Sequence, residues 1–372
     1  MTTIKSLATK KFDLFEIAGS AYARGHQYGV HYEHLLKRLI TTNFDYHARV
    51  LGRSKDKVIE RARRYRKYTE DFSPTVKEEL RGISKGSNVE LDHIYMLASF
   101  CELIYPNAKN GAVAGQCTSF AARNIATVDR LTYVGQTDDE SISPWLDGEC
   151  VTLVRYVQNK APRAIIYSYA GVPAQQGLNS AGLAVCVNAL QYERATDGVP
   201  MWCLVREVLN QKSVQDAIKL IRETKRAYSL NFMLGDTRQI VDLETTPESV
   251  TTIESEDLLY HTNHYLNSNE PGIGSQETPD FDNTKLRVQR IAELMEAKKG
   301  RLSLKTLQGF LGDHGNQPDS ICRHVGESPA SREIKSFGGM IYLPEKREAW
   351  VARGNPCENE FVRYSLQSRV GL

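Results

Sequence analysis

Cys117 stands where a nucleophile would. It follows a run of small and polar residues, Asn107 to Gln116 (NAKNGAVAGQ), and opens an apolar stretch with hydroxyls beside it, Cys117-Thr118-Ser119-Phe120. A thiol becomes a strong nucleophile once a nearby base or cation turns it into thiolate. Most single cysteines are inert core residues, so the polar company matters. Gly135-Gln136-Thr137-Asp138-Asp139 comes one strand and turn later. Asn188 lies near the end of an apolar run, and Thr262-Asn263-His264 closes another. Arg287 enters a helix within Asn283-Thr284-Lys285-Leu286-Arg287, with Arg290 one turn on.

The elements that must position these residues follow from periodicity. Apolar spacing predicts helices over His26 to Ile40 and Thr75 to Ser87 (Val76, Leu80 and Ile83 at i, i+4, i+7, Gly86 as the stop). Lys55 to Tyr68, a basic and strongly polar run of good helix formers, and Leu91 to Leu103, apolar enough to be buried, are expected helices too. After Pro106 the pattern changes to short β runs: Cys117 to Ala122, Thr132 to Gly135, Cys150 to Val157, Ala164 to Tyr169 and Leu183 to Leu190. Helical spacing returns over Met201 to Asn210 and Val214 to Glu223. Strands resume at Asn231 to Leu234, Ile240 to Glu244 and Val250 to Ile253, and Thr284 to Ala297 is an amphipathic helix. Met340 to Pro344 and Glu348 to Ala352 form a final hairpin with Glu345-Lys346-Arg347 as the turn. Antiparallel groups with helices in separate blocks mean layered α+β, not alternating βαβ units. No GxGxxG or GxxxxGK[ST] sits between a strand and a helix, which removes the usual support for nucleotide binding.

Composition excludes other classes. The 372 residues are 41% apolar and 25% charged, enough to bury a sizeable core. Lys plus Arg number 47 against 45 Asp plus Glu, so no charge excess draws the chain to nucleic acid. The seven cysteines are odd in number and scattered without a CxxC pair, which argues against a disulfide scaffold and fits a reducing compartment. No run of about 18 apolar residues predicts a membrane span, and the N-terminus lacks the pattern of a signal peptide. The ending Val370-Gly371-Leu372 does not support a peroxisomal address. The expected location is cytoplasmic.

The ordered set resembles the cysteine branch of the N-terminal-nucleophile (Ntn) hydrolases, and within it the acyl-CoA:6-aminopenicillanic acid acyltransferase (isopenicillin N acyltransferase) family. The resemblance runs from Gly19 to Gly29 (GSAYARGHQYG) through the residues above to Asp313-His314, Pro318 to His324 (PDSICRH) and Gly354 to Glu358 (GNPCE). It implies an αββα sandwich of two antiparallel sheets flanked by helices. It also implies a precursor that cuts its own backbone before the cysteine, here at Gln116–Cys117. Residues 1–116 would then be a helical α fragment that stays bound, and 117–372 a β fragment headed by the nucleophile. The freed α-amine, with a reference pKa of about 7.7–8.0, suits the role of the thiol's general base. Relatives commonly carry Gly before the cysteine. Here Gly115-Gln116 puts Gln at that position, and the bend that glycine's freedom would give is expected from Gly115.

The same resemblance implies the remaining roles. Asp139, with Asp138 as its near neighbour, matches the carboxylate that holds the thiol–amine pair in register. Without the resemblance, the acidic run Asp138 to Glu140 reads as a solvated turn. Asn263 corresponds to an oxyanion donor, a contribution of roughly 3–4 kcal/mol to the transition state, and Asn188 to its partner; otherwise both asparagines cap turns. Arg287 corresponds to an arginine that pairs with Asp139 or a substrate carboxylate, where a solvated helix arginine is the plain alternative. Thr118, Ser119, His264 and His314 are expected along the substrate wall. His314, Cys322 and His324 lack a common zinc spacing and no HExxH is present, so no metal and no cofactor are expected. The expected substrates are small N-acyl amides, with acyl-CoA as a co-substrate. Two other readings stay open: an uncut, catalytically idle ligand-binding protein, and an uncut Cys–His hydrolase using His264 or His314 as base.

Overall fold

The computed structural model describes residues 11–106, 116–267, 273, 279–326 and 333–367, with backbone only for 279–281. The loop before Gln116, including Gly115, and the C-terminal tripeptide lie outside the described residues.

After a short strand β1 (Phe15–Ala18), the first hundred residues build helices α1 (Ala21–His31), α2 (Glu33–Leu51), α3 (Lys55–Phe72), α4 (Pro74–Ser87), α5 (Leu91–Ala98) and α6 (Phe100–Ile104). The spacing that predicts α4 puts Val76, Leu80 and Ile83 in the core, while Ser73 caps the helix by accepting from the Val76 amide. Two expected helices are each divided, at Tyr32 and at Ser99, where a non-helical residue turns the chain.

The remainder is mostly strand: β2 (Gln116–Ala122), β3 (Tyr133–Ser141), β4 (Val151–Val157), β5 (Ala164–Tyr169), β6 (Gln176–Asn179), β7 (Ala184–Ala189), β8 (Leu230–Gly235), β9 (Ile240–Thr245), β10 (Val250–Ser255), β11 (Leu258–His261), β12 (Ile334–Leu343), β13 (Glu348–Arg353) and β14 (Val362–Ser365). Helices α7 (Met201–Val208), α8 (Val214–Glu223), α9 (Pro279–Glu296) and α10 (Leu304–Leu311) are interposed. Two sheets form, one in the order β1-β4-β5-β6-β7-β8-β9-β10 and one in the order β11-β2-β3-β12-β13-β14. All pairs are antiparallel except β1 with β4, which is parallel. The architecture is the expected α+β sandwich, with one parallel edge strand supplied by the N-terminal segment.

Alternation along β2 shows how the layers stack. Ala121 packs into the large core between the sheets and under the N-terminal helices. Phe120 and Ala122 face the opposite way, into a second core with Ile291 and Met295 of α9 and Leu307, Phe310 and Leu311 of α10. Cys117 and Ser119 therefore share the inter-sheet face, and Thr118 looks toward α9.

β3 departs most from expectation. The sequence predicts a strand ending at Gly135 and an acidic turn, but the strand runs on to Ser141 with Asp138, Asp139 and Glu140 all buried. It lies between β2 and β12, and the ladder hydrogen bonds on both sides hold the polar run in extended form.

Candidate active site

Cys117, second residue of β2, has its backbone held from three directions. Its N–H donates to Asn263 Oδ1 at 2.8 Å. Its carbonyl accepts from Arg287 Nη1 at 2.7 Å and from Asn188 Nδ2 at 3.2 Å. These partners come from the loop after β11, from α9 and from β7 of the facing sheet.

Chemistry fixes how the two carboxamides point. Arg287 Nη2 also donates to Asn263 Oδ1, at 3.0 Å. A guanidinium and a backbone N–H are donors only, so Asn263 must turn its oxygen toward Cys117, and its Nδ2 donates to the Ala189 carbonyl at 3.1 Å. The resemblance implies an amide N–H of Asn263 facing the reacting centre; in the uncut chain it is the oxygen that faces Cys117 N. Asn188 is the reverse. Its oxygen accepts from Ser119 Oγ at 2.6 Å and Asn231 Nδ2 at 3.1 Å, so its N–H₂ group faces the Cys117 carbonyl.

Arg287 is fully buried, with Nε on Asn283 Oδ1 at 2.8 Å and Nη1 on Thr118 Oγ1 at 3.0 Å. Burial first, and then the like charge of Arg323, lower its pKa to about 10, so it is still a cation at neutral pH. Arg290, the near alternative, turns away and forms a two-pronged pair with Asp313 at 2.8 Å on each arm. Thr118 and Ser119, expected along the substrate wall, are spent on Arg287 and Asn188.

The carboxylates divide between the two faces of β3. Asp138 pairs directly with Cys117 across the ladder, and directly opposed residues share a face. It accepts from Tyr167 and Tyr169 at 2.8 and 2.7 Å and from Gln175 at 2.8 Å. Asp139 lies on the other face, accepting from Ser336 Oγ at 2.5 Å and Thr137 Oγ1 at 3.0 Å. Burial pushes the Asp139 pKa up to about 6, against the pull of Arg287 and Arg323. Burial also raises Asp138, and raises Glu140 well above the carboxylate range, where Tyr105 donates to it at 3.2 Å. The Cys117 thiol is pushed well above its ordinary value by burial and then by these three carboxylates, with the Asp139 backbone N–H pulling the other way. In the uncut chain the sulfur is a thiol.

The histidines stand apart from the sulfur. His264 Nδ1 faces the hydroxyls of Thr284 and Thr262 at 3.1 and 3.3 Å, and burial lowers its pKa to about 4, leaving a neutral ring. His314, expected on the substrate wall, sits instead with Cys322, His324 and Cys357. Its neighbour Asp313 closes that loop by accepting from the Cys322 amide at 3.0 Å. Among the described residues neither ring is hydrogen-bonded to Cys117.

Sequence reasoning misses several supports. Asn231 orients Asn188, and Ser336 grips Asp139. Glu244 holds the loop carrying Asn263 through the amides of Leu266 and Asn267 at 2.5 and 3.1 Å, and through the His261 ring at 3.0 Å. No local pattern links these pairs; only the i, i+4 spacing of Asn283 and Arg287 was available as a signal.

A family model described as acyl-coenzyme A:6-aminopenicillanic acid acyl-transferase matches residues 129–358. The "acyl-coenzyme A:6-aminopenicillanic-acid-acyltransferase 40 kDa form" of Emericella nidulans is 27% identical over 305 residues, 76% of each chain. Among solved structures, a mutant of conjugated bile acid hydrolase from Clostridium perfringens aligns at 12% identity and a TM-score of 0.46, covering 69% of this chain and 98% of that one. Penicillin V acylase from Agrobacterium tumefaciens aligns at 11% identity and 0.44, covering 63% and 82%.

Proposed function

From the premise that this chain belongs to the acyl-coenzyme A:6-aminopenicillanic acid acyl-transferase family, we propose that it is a self-cleaving cysteine enzyme. It transfers acyl groups from small N-acyl amides or thioesters through Cys117. The observation that carries this reading is the double clamp on Cys117, with Asn263 on its N–H and Arg287 with Asn188 on its carbonyl.

Self-cleavage begins with Cys117 Sγ attacking the Gln116 carbonyl carbon. The C–N bond breaks as a thioester forms, and the proton of the thiol ends on the new amine. Water then hydrolyses the thioester, leaving a Gln116 carboxylate, the free thiol and the Cys117 α-amine. That amine stays where its amide N–H was, against Asn263 Oδ1, with Arg287 bonded to the same oxygen. A neighbouring cation disfavours the ammonium form, so Arg287 keeps the amine unprotonated and able to take the thiol proton.

In turnover the sulfur attacks the substrate carbonyl and the amine relays the proton to the leaving amine or thiol. Water or an acceptor amine then takes the acyl group. In this reading Asn188 offers its N–H₂ group to the oxyanion, while Asn263 keeps its oxygen on the amine and joins as a second donor only by releasing its N–H₂ group from the Ala189 carbonyl. Asp139, between Ser336 and Thr137, fixes the β3 segment whose N–H meets Sγ. The donor of the first acyl group is an N-acyl amide or acyl-coenzyme A, the latter named for the relatives.

Intact mass measurement of purified protein beside Cys117→Ala tests this. The expected result is two species matching residues 1–116 and 117–372 for the wild type and one uncut chain for the variant, with N-acyl amide turnover in the wild type alone. Full turnover by a continuous chain, or by Cys117→Ala, overturns the proposal.

A further inference from the structure

Far along the chain from the clamp, four side chains converge that the reaction does not use: His314, Cys322, His324 and Cys357. Their ligand atoms all lie within 4.8 Å of one another. The separations are 3.4 Å for Cys322 Sγ to Cys357 Sγ, 3.1 Å for His314 Nε2 to His324 Nε2, 3.3 Å for Cys357 Sγ to His324 Nε2 and 3.8 Å for Cys322 Sγ to His324 Nε2. A tetrahedral zinc ion with Zn–S of about 2.3 Å and Zn–N of about 2.0–2.1 Å requires ligand-to-ligand edges of about 3.3–3.8 Å. These four of the six edges match to within a few tenths of an ångström, and the two from His314 Nε2 to the sulfurs lie within 4.8 Å. Both thiols are unbridged.

We propose that Cys322, Cys357, His314 and His324 form a structural zinc site. A closed set of two thiolates and two imidazoles leaves no position for water or substrate, which marks a structural ion rather than a Lewis acid. Binding converts two thiols to thiolates, releases two protons and leaves the metal and its ligands neutral overall.

The surroundings are those of a thiolate site. Asn355 Nδ2 stands 3.5 Å from Cys322 Sγ, and the Glu358 carboxylate lies 3.8 Å from His324 Nδ1, the ring nitrogen remote from the cluster. Cys322 is buried while His314 and Cys357 reach the surface, so an ion has a way in. Cys322 N bonded to Asp313 O folds the loop that brings His314 over Cys322, and Gly312 lies against the Cys357 backbone, where an added Cβ would stand 3.3 Å from Cys357 Cα.

The ion would clasp this loop to the turn after β13, and the loop carries Arg323. The Arg323 backbone pairs with Ser336, whose hydroxyl holds Asp139. Asp319 in the same loop accepts from Asn283, the partner of Arg287. The clasp thus braces the Cys117 site from outside without entering the chemistry.

Metal analysis of the full chain, purified without chelator, tests the site. The expected result is one zinc per chain that survives dialysis. Replacement by cobalt is expected to give the visible bands of a tetrahedral site and a thiolate charge-transfer band. Cys357→Ser should lose both. His314→Ala, at an exposed position that does not endanger folding, should weaken zinc binding by no less than the roughly 10–100-fold that loss of an outer-shell partner costs. A folded wild type that takes up neither ion overturns the proposal. So does zinc bound equally by both variants, or a Cys322–Cys357 disulfide in the folded protein.

Discussion

At the scale of single residues, the site holds charges out of water and lets their surroundings set their protonation. Asp139 has the clearest consequence. Its folded pKa of about 6 lies above the ordinary 3.8, so the native state binds its proton more tightly than the unfolded chain does. Its contribution to stability is therefore fully present below about pH 4 and is lost as pH rises through about 6, a swing of roughly 3 kcal/mol for a two-unit shift. Asp139→Asn should remove this component. The difference in unfolding free energy between wild type and variant, measured by urea titration at several pH values, should slope between pH 4 and 6 and be flat above it. A constant difference across that range would show that the carboxylate is not held in its neutral form at low pH.

At the scale of elements, the N-terminal helices are fastened by close backbone approach. Gly25 and Gly29 of α1 face Gly82 and Gly86 of α4. A Cβ on Gly25 would stand 2.0 Å from Glu79 O, and one on Gly82 would stand 2.2 Å from Tyr22 O. Alanine is the better helix former by about 1 kcal/mol, but backbone atoms cannot yield as a flexible side chain would. Overpacking of this kind costs about 1–3 kcal/mol or more. Gly25→Ala and Gly82→Ala should each lower the urea midpoint with an unchanged denaturant slope; an unchanged or raised midpoint would mean the crossing has slack. The apolar period of α4 and the β12–β13 hairpin, whose turn puts Arg347 at φ 57°, were legible because local pattern and tertiary burial agree. β3 was not, because its second half is polar on both faces and its strand character comes from neighbours distant in sequence. Short β1, β6, β11 and β14 have too few residues to establish an alternation. The Cys117, Asn263 and Arg287 constellation was legible in residue identity, whereas the orientation of each carboxamide emerged only from the donors around it. The convergence of Cys357 with Cys322, conceivable as a pairing, had no support in the sequence, since 35 residues separate them and no spacing rule joins them.

At the scale of the whole molecule, the proposed self-cleavage raises the question of what would keep residues 1–116 in place. Among the contacts that bind that segment to the rest, three bear most on this. β1 completes an edge of the larger sheet by parallel pairing with β4. Glu102 accepts the Met201 N–H at the start of α7, at 2.8 Å. Glu79 of α4, buried, accepts from Arg24 at 2.6 Å and, across the proposed cleavage point, from Arg206 of α7 at 2.8 Å. Cutting the Gln116–Cys117 bond removes none of these contacts, so the two fragments should elute together in native size exclusion and part only on denaturation. Glu79→Gln removes the anion that two buried guanidinium groups share, and breaking a buried pair in this way costs about 3–5 kcal/mol. In the cleaved protein that loss falls on an interface, where each 1.4 kcal/mol or so is tenfold in affinity, so the fragments of Glu79→Gln should dissociate about a hundredfold more readily or worse. Free α fragment in a dilute native sample of the wild type would contradict the argument. So would a Glu79→Gln protein whose fragments hold together as tightly as the parent's, because the β1 edge and the shared core would then suffice without the buried charges.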